Sequence, residues 1–380
     1  MGWTGEAADD AGATGAAIAW IALRSARGLS DAAARRAVEL LGSPQAVLAA
    51  SAKTLAAAGL SAAARSGVRT AQRDDARAEA ERIAALGGRL VSYRDAEYPA
   101  LLRELPDAPL HLIVRGDELD DAPAVAIVGA RHATPYGLDV ASRFGEELAQ
   151  AGVTVVSGLA RGVDGAAHRG ALRGGGRTVA VFGAGIDVIY PPEHADLAAA
   201  VAAGGTLVSE LPCGTPPLAE HFPSRNRIIA GMTHGTVVVE AAEQSGSQIT
   251  ARLALDQGRE VFAVPGRIDS PLSAGTHRLI QEGAKLVGSV EDIVSELGPA
   301  LRARVPERTL TSIGVDPVAQ PVAPDDPLLS LLAGGPLAAD DLIRRSGLAP
   351  ASVLARILDL ELRGMLVRLP GRQFQLANRP

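Results

Sequence analysis

Lysine is almost missing from this 380-residue chain: Lys53 and Lys285 are the only two, and arginine carries nearly all the positive charge. With the abundance of alanine, this reads as the codon bias of a GC-rich genome, so neither Ala-rich stretches nor Arg in place of Lys is a functional signal. Aromatic residues are scarce at 3%. The single cysteine, Cys213, excludes an internal disulfide framework and any multi-Cys metal site. The seven histidines show no metal-ligand spacing, so no metal or other cofactor is expected. No apolar run reaches the roughly 18 residues of a membrane span, and the start "MGWTGEAADDAG" is acidic, without a basic n-region. A soluble, cytoplasmic protein with no membrane contact is expected. The formal net charge of −6 excludes a surface coated in positive charge but leaves room for a local anion site. What is plentiful is apolar residue, at 47% enough for real cores, in a chain long enough for two or three domains.

Four regions follow from pattern. Residues 16–88 read as helices separated by short Gly-containing turns, a helix-hairpin-helix type of bundle that either touches DNA or only packs. Residues 89–297 alternate strand and helix signals. The runs "AVAIVG", "VTVVS", "TVAVFG", "TLVSE", "TVVVEA" and "EVFAVPG" are β-branched without polar alternation, so both faces of each should be buried. Amphipathic stretches lie between most of them, which predicts an α/β fold with a parallel, doubly wound sheet and ligands beyond the strand C-termini. Residues 298–325 read as a linker, and 326–380 as three helices and a hairpin, a winged-helix pattern. Ala351 to Arg363 falls in the recognition-helix position, where Arg356 and Arg363 are offset by Asp359 and Glu361, so DNA and protein contact both remain open.

The strand ends carry the candidate site. After the first, Gly129 permits a close approach and Arg131 offers a planar fork of donors for phosphate. "SGLARGVDGAAH" ends the next strand with Ser157 and Gly158, turns again at Gly162, and places Asp164 to cap the following helix, with His168 four residues on as a partner. Arg161 precedes that helix, a position where a cation opposes the macrodipole unless an anion lies between them. In "HFPSRNRIIAG", Ser224 is a plausible N-cap, which would put Arg225 and Arg227 in a first turn with the same conflict. Asn226 can donate and accept there, and Phe222 offers a ring for base stacking. Ser245, Gly246 and Ser247 lead to Thr250 near another helix start, suited either to phosphate oxygens or to ordinary capping. No phosphate-binding G-x-x-x-x-G-K-[ST] loop occurs, and Val188 stands where the third glycine of a dinucleotide fingerprint begun by Gly183 and Gly185 would be. H-E-x-x-H and G-x-S-x-G are absent too, so no catalytic residue is assigned and a non-enzyme is expected.

The segments "VAIVGARHATPYG", "VVSGLARGVDGAAHRGAL", "GRTVAVFGAGIDVIYP", "GTLVSELPCGTPP", "HFPSRNRIIAGM", "TVVVEAAEQSGSQITARLALDQGREVFAVPG" and "AGTHRLIQEGAKLV" resemble, in order and spacing, the DNA-processing protein A (DprA/Smf) family. The resemblance runs from about Tyr98 to Val287. It implies an extended Rossmann-like core, mostly parallel, flanked by an N-terminal SAM-like helical domain and a C-terminal winged-helix domain. It also implies a homodimer that binds and protects incoming single-stranded DNA and helps load RecA recombinase in natural transformation. Carried over, DNA-phosphate contact falls on Gly129, Arg131, Ser157, Gly158, Arg161, Gly162, Arg225, Asn226, Arg227, Ser245 and Gly246, beside Phe222. Ala130 stands where the family frequently has Ser, and "YPPEHADL" lacks the Lys and Asn often found after the Tyr-Pro. The alternative is a Rossmann-fold nucleotide phosphoribohydrolase, whose P-G-G-x-G-T-x-x-E pattern is missing here, the nearest approach being "AVPGRIDSPLSAGT". A third reading is a regulator whose winged helix binds duplex DNA while the core senses a nucleotide.

Overall fold

A computed structural model of the chain describes residues 15–297 and, in the tail, 327–332, 337–346, 348, 353, 356–357, 360, 365–369 and 373–376. The two stretches belong to separate compact units. The expected linker at 298–325 lies outside the described residues, as do Ala351, Asp359, Glu361 and Arg363.

The first unit begins with six helices: α1 (Gly15–Arg24), α2 (Asp31–Leu41), α3 (Pro44–Ala49), α4 (Ala52–Ala57), α5 (Ala62–Thr70) and α6 (Arg73–Ala85). Their starts follow one device. Ser30, Ser43, Ser51 and Ser61 each accept the N–H of the third helical residue, satisfying a donor that the helix itself leaves open. At the helix crossings small residues are required, and a Cβ on Gly67 would lie 2.0 Å from the Arg27 carbonyl.

A nine-stranded sheet follows, with β1 (Gly88–Ser92), β2 (His111–Gly116), β3 (Ala124–Val128), β4 (Thr154–Ser157), β5 (Thr178–Phe182), β6 (Thr206–Ser209), β7 (Gly235–Val238), β8 (Glu260–Ala263) and β9 (Lys285–Leu286). Their order is β1-β2-β6-β5-β4-β3-β7-β8-β9. From β6 to β9 all pairs are parallel, for example Ala126 beside Val156 and Ile127 beside Val237. The six β-branched runs of the sequence are β3 to β8. The antiparallel strands β1 and β2 extend the sheet beyond β6, a feature the sequence pattern left unread.

The connecting helices are α7 (Ala100–Arg103), α8 (Pro135–Gln150), α9 (Val163–Arg173), α10 (Ala195–Gly204), α11 (His221–Gly231), α12 (Gly246–Asp256), α13 (Ala274–Gln281) and α14 (Val290–Glu296). Val125, Ile127 and Val237 pack on one face with Val140, Phe144 and Leu148 of α8 and Ala167 of α9. Ala126, Val128 and Val238 pack on the other with Ile228 of α11 and Ala251 of α12. Burial on both faces is why these strands lack polar alternation.

The N-terminal helices share that second core. Trp20, Leu23, Val38 and Leu55 join Tyr98, Leu112 and Val208 in one cluster, and Trp20 meets Tyr93 edge-on at 5.4 Å between ring centres. Among the polar bonds across the junction are those of Glu210, the residue after β6: its carboxylate takes Arg24 of α1 at 2.9 Å and Arg227 of α11 at 2.6 Å. The tail unit contains α15 (Pro327–Leu332), β10 (Leu337–Ala338), α16 (Ala339–Ser346), β11 (Leu366–Leu369) and β12 (Gln373–Leu376), the strands in the order β10-β12-β11. Val353, Ile357 and Leu360 are buried at helical spacing with Leu342, Leu366 and Phe374, while Arg356 points outward. This is the winged-helix arrangement.

Replacing Glu210 with Gln leaves Arg24 without its ion-pair partner and Arg227 with only the Asp107 carboxylate, 3.6 Å away. The expected loss in urea-unfolding free energy is about 3 kcal/mol. A change below about 0.5 kcal/mol would place this triad among surface pairs of little consequence.

Candidate nucleic-acid interface

The strand order reverses at β3: the chain steps outward through β4, β5 and β6 on one side, then returns through α11 to β7 on the other, so a crevice opens where the C-terminal loops of β3 and β7 part. A cleft of about 650 Å³ lies there, bounded by Gly129 to Arg131 after β3, Ala160 and Asp164 after β4, and Tyr190 after β5. Phe222, Arg225 and Asn226 of α11 and Ser245 to Thr250 at the start of α12 complete it.

Beneath it, the two peptides that meet at the Gly158 Cα are held from two sides. The N–H of Gly158 donates to the Asp164 carboxylate at 3.2 Å, joined by that of Ala160 at 3.4 Å. The carbonyl of Gly158 accepts Nη1 of Arg225 at 2.7 Å, and the same nitrogen donates to the Val181 carbonyl. Arg225 also sends Nε to Asn226 Oδ1 at 3.1 Å. A Cβ on Gly158 would sit 2.2 Å from Arg225 Nη1, so only glycine lets the guanidinium lie flat against this backbone. Arg225 is 6% exposed, and burial pushes it down to about 10 against the pull of Asp164, with Arg131 adding to the depression. Burial likewise raises the Asp164 carboxyl, opposed chiefly by Arg225.

This changes the local picture drawn from sequence. Helix α11 begins at His221, so Ser224 is not its N-cap and Arg225 and Arg227 lie beyond the first turn. Arg227 does not line the cleft: its guanidinium is bound to Glu210 and to the Asp107 carbonyl at 2.8 Å. Asp164 caps the loop before α9 rather than the helix, whose N-cap Gly162 makes no side-chain bond. Nor does Asp164 pair with His168, whose Nδ1 lies 2.7 Å from Thr178 Oγ1. The Ser157 hydroxyl is buried and spent on the Ile127 carbonyl at 2.6 Å. Gly162, at φ 74°, presses the two loops together; its Cβ would stand 2.2 Å from the Ala130 carbonyl.

The accessible chemistry is at the mouth. Arg131 is exposed, and its guanidinium lies 5.0 Å from the centre of the Phe222 ring without an ion pair or hydrogen bond among the described residues. Tyr190 flanks the same ring, 6.0 Å centre to centre. Arg161, also exposed, reaches a second small hollow shared with Arg131, Tyr190 and Phe222, and is ion-paired with Glu193. Across the cleft, Ser245 Oγ lies 2.8 Å from Ser247 Oγ, and Gly246 opens α12 with clear space around its Cα. Tyr190, Glu193 and Glu210 were not singled out from sequence; only proximity in the fold brings them to these arginines. Among the described residues no group of His, Cys, Asp and Glu could hold a metal ion.

A family model for DNA recombination-mediator protein A matches residues 89–298, and one for the DprA winged helix domain matches 312–372. Protein Smf of Escherichia coli is 44% identical over 284 residues, covering 73% of this chain and 75% of its own. The DNA processing protein DprA of Streptococcus pneumoniae is 45% identical over 206 residues, 54% of this chain and 73% of that one. The X-ray structure of DNA processing protein A from the same organism superposes with a TM-score of 0.65 at 36% identity, covering 72% of this chain and 95% of that one.

Gly158→Ala should unfold the clamp before anything else, costing about 2 kcal/mol or more by overpacking against Arg225, read from chemical denaturation. A second expectation concerns pH. Burial pushes the His168 imidazole from 6.5 down to about 3, helped by His194 and Arg225. The unfolded chain therefore binds a proton across that window that the folded chain refuses, so stability falls as pH drops through it. His111, also lowered to about 3 by burial, acts in the same sense. Urea unfolding at a series of pH values should show this slope, and His168→Gln should remove only part of it.

Proposed function

The chain belongs to the DNA recombination-mediator protein A family, and from that premise we propose that it binds single-stranded DNA along the cleft between the β3 and β7 loops. The carrying observation is Arg131: an exposed guanidinium stacked on Phe222, with its donors uncommitted among the described residues. A phosphate on Arg131 leaves a base within reach of the Phe222 and Tyr190 rings, and base–aromatic stacking contributes about 1–3 kcal/mol per base without regard to sequence. Asn226, Gly129, Ser245 and Gly246 line the same path, with the first turn of α12 offering backbone donors to a second phosphate.

The arginines expected to form one track divide their work. Arg131 and Arg161 supply charge, whereas Arg225, with Ser157, Gly158 and Gly162, shapes the support beneath it, and Arg227 ties α11 to Glu210 outside the cleft. The family resemblance supports the wider role: a cytoplasmic homodimer that shields incoming single strands and hands them to RecA recombinase during natural transformation. In this reading the protein binds and does not catalyse.

The test compares affinity for single-stranded DNA, duplex DNA and free nucleotide over a series of salt concentrations. Arg131→Ala should weaken single-strand binding regardless of base sequence and flatten the log-log salt slope by about 0.7. Arg131→Lys should recover part of the loss, since charge returns without the two-pronged geometry. Phe222→Ala should weaken binding and leave the slope alone. Equal affinity for duplex and single strand, untouched by either variant, would move the site elsewhere.

A further inference from the structure

Arg161 differs from Arg131 in one respect that matters for a polyanion. Both line the hollow with Tyr190 and Phe222, but the Arg161 guanidinium is already engaged. Its Nε donates to the carboxylate of Glu193, beside Tyr190 in the same hollow. The two paired side chains are 44% and 52% exposed, so water reaches the contact and the pair is weak.

Glu193 is nevertheless built into place. It sits in a single 3-10 turn, Pro192–His194, and the next residue, His194, is buried with Nδ1 2.9 Å from the Leu159 carbonyl. Leu159 belongs to the same strand-end loop as Arg161, two residues earlier. The loop that carries the acid is thus fastened to the loop that carries the base. An acid here also offsets the repulsion between Arg161 and Arg131, which share one hollow.

We infer that Glu193 is a phosphate mimic that occupies Arg161 in the free protein and competes with the DNA backbone for it, so that Glu193 sets the affinity and salt dependence of this end of the cleft. The inference rests on the reading that the cleft binds single-stranded DNA. The physics gives it a distinctive signature. While Glu193 holds Arg161, no phosphate is neutralised there and no condensed cation leaves the DNA on its account, so the site adds little to the salt slope. Once the carboxylate is gone, Arg161 neutralises a phosphate, the cation condensed on it is released, and the contact registers in the slope. A phosphate diester can make the exchange because it offers a guanidinium the same two-oxygen geometry as a carboxylate.

The experiment measures binding of fluorescein-labelled oligo-dT by anisotropy across a sodium chloride series at neutral pH. Four proteins are compared: wild type, Glu193→Gln, Arg161→Ala and the double variant, each with a melting curve. Glu193→Gln should bind severalfold tighter, about threefold at moderate salt, with a slope steeper by about 0.7. Arg161→Ala should weaken wild-type binding by less than it weakens Glu193→Gln, abolishing the whole gain when placed on that variant. A Glu193→Gln protein with unchanged affinity and slope overturns the inference. So does a gain that survives loss of Arg161, because that would be a general effect of removing negative charge. If neither the folded wild type nor Glu193→Gln binds oligo-dT at the lowest salt, the single-strand reading fails as well; wild-type binding without coupling between the two residues sinks the competition alone.

Discussion

The two peptides that meet at Gly158 are the point on which the site depends. The Gly158 N–H is held by a buried carboxylate, Asp164, and the Gly158 carbonyl by a buried guanidinium, Arg225, so opposite charges grip the successive peptide groups on either side of one α-carbon. Neither charge could be buried alone at tolerable cost. Each is answered by backbone: Asp164 by two N–H groups, Arg225 by two carbonyls from adjacent strands. The consequence is geometric. The end of β4, the end of β5 and the second turn of α11 become one rigid piece, and the rings and loops at the cleft mouth are mounted on it.

That clamp explains why the residue on α11 is arginine. A lysine could donate to one or two of the three acceptors, but its compact ammonium cannot span the Gly158 and Val181 carbonyls while also reaching Asn226 Oδ1. Glu210 repeats the pattern at larger scale, using two arginines to bind the helical region to α11. In a chain of net charge −6, Arg24, Arg225 and Arg227 are therefore structural, and the exposed positive charge at the cleft mouth comes from Arg131 and Arg161.

How far the sequence discloses this depends on the range of each interaction. Strands β3 to β8 were legible because burial on both faces writes a continuous β-branched run, and the strand-end glycines marked the loops that form the cleft. The antiparallel strands β1 and β2 were not, since "GRLVS" and "HLIVRG" are short and separated by a stretch with no hairpin turn. The role of Arg225 was hidden by a local signal that points the wrong way. Ser224 resembles an N-cap, but Pro223 fits within the first helical turn, where a missing N–H costs no intrahelical bond, so α11 starts at His221. Four residues of upstream helix turn Arg225 inward. The charge conflict read at Arg225 rested on that misplaced first turn; the acid that faces it in the fold is Asp164, 61 positions earlier, which no spacing rule connects to it.

The same logic separates what holds the cleft from what fills it. A side chain that serves architecture needs saturated donors and burial, because an unmet buried donor is expensive. A side chain that serves a mobile, sequence-varied polymer needs unsaturated donors and exposure, because it must let go. Arg225 and Arg131 lie within reach of the same Phe222 ring, at 5.9 and 5.0 Å, and occupy the two extremes. Arg161 stands between them, exposed like Arg131 but satisfied like Arg225, and satisfied by a partner water can reach. Where a ring is shared by a locked cation and a free one, stacking is set by the first and charge by the second. On the proposed reading, a strand passing over Phe222 would meet a fixed surface with an adjustable potential, a combination suited to holding DNA of any sequence and releasing it.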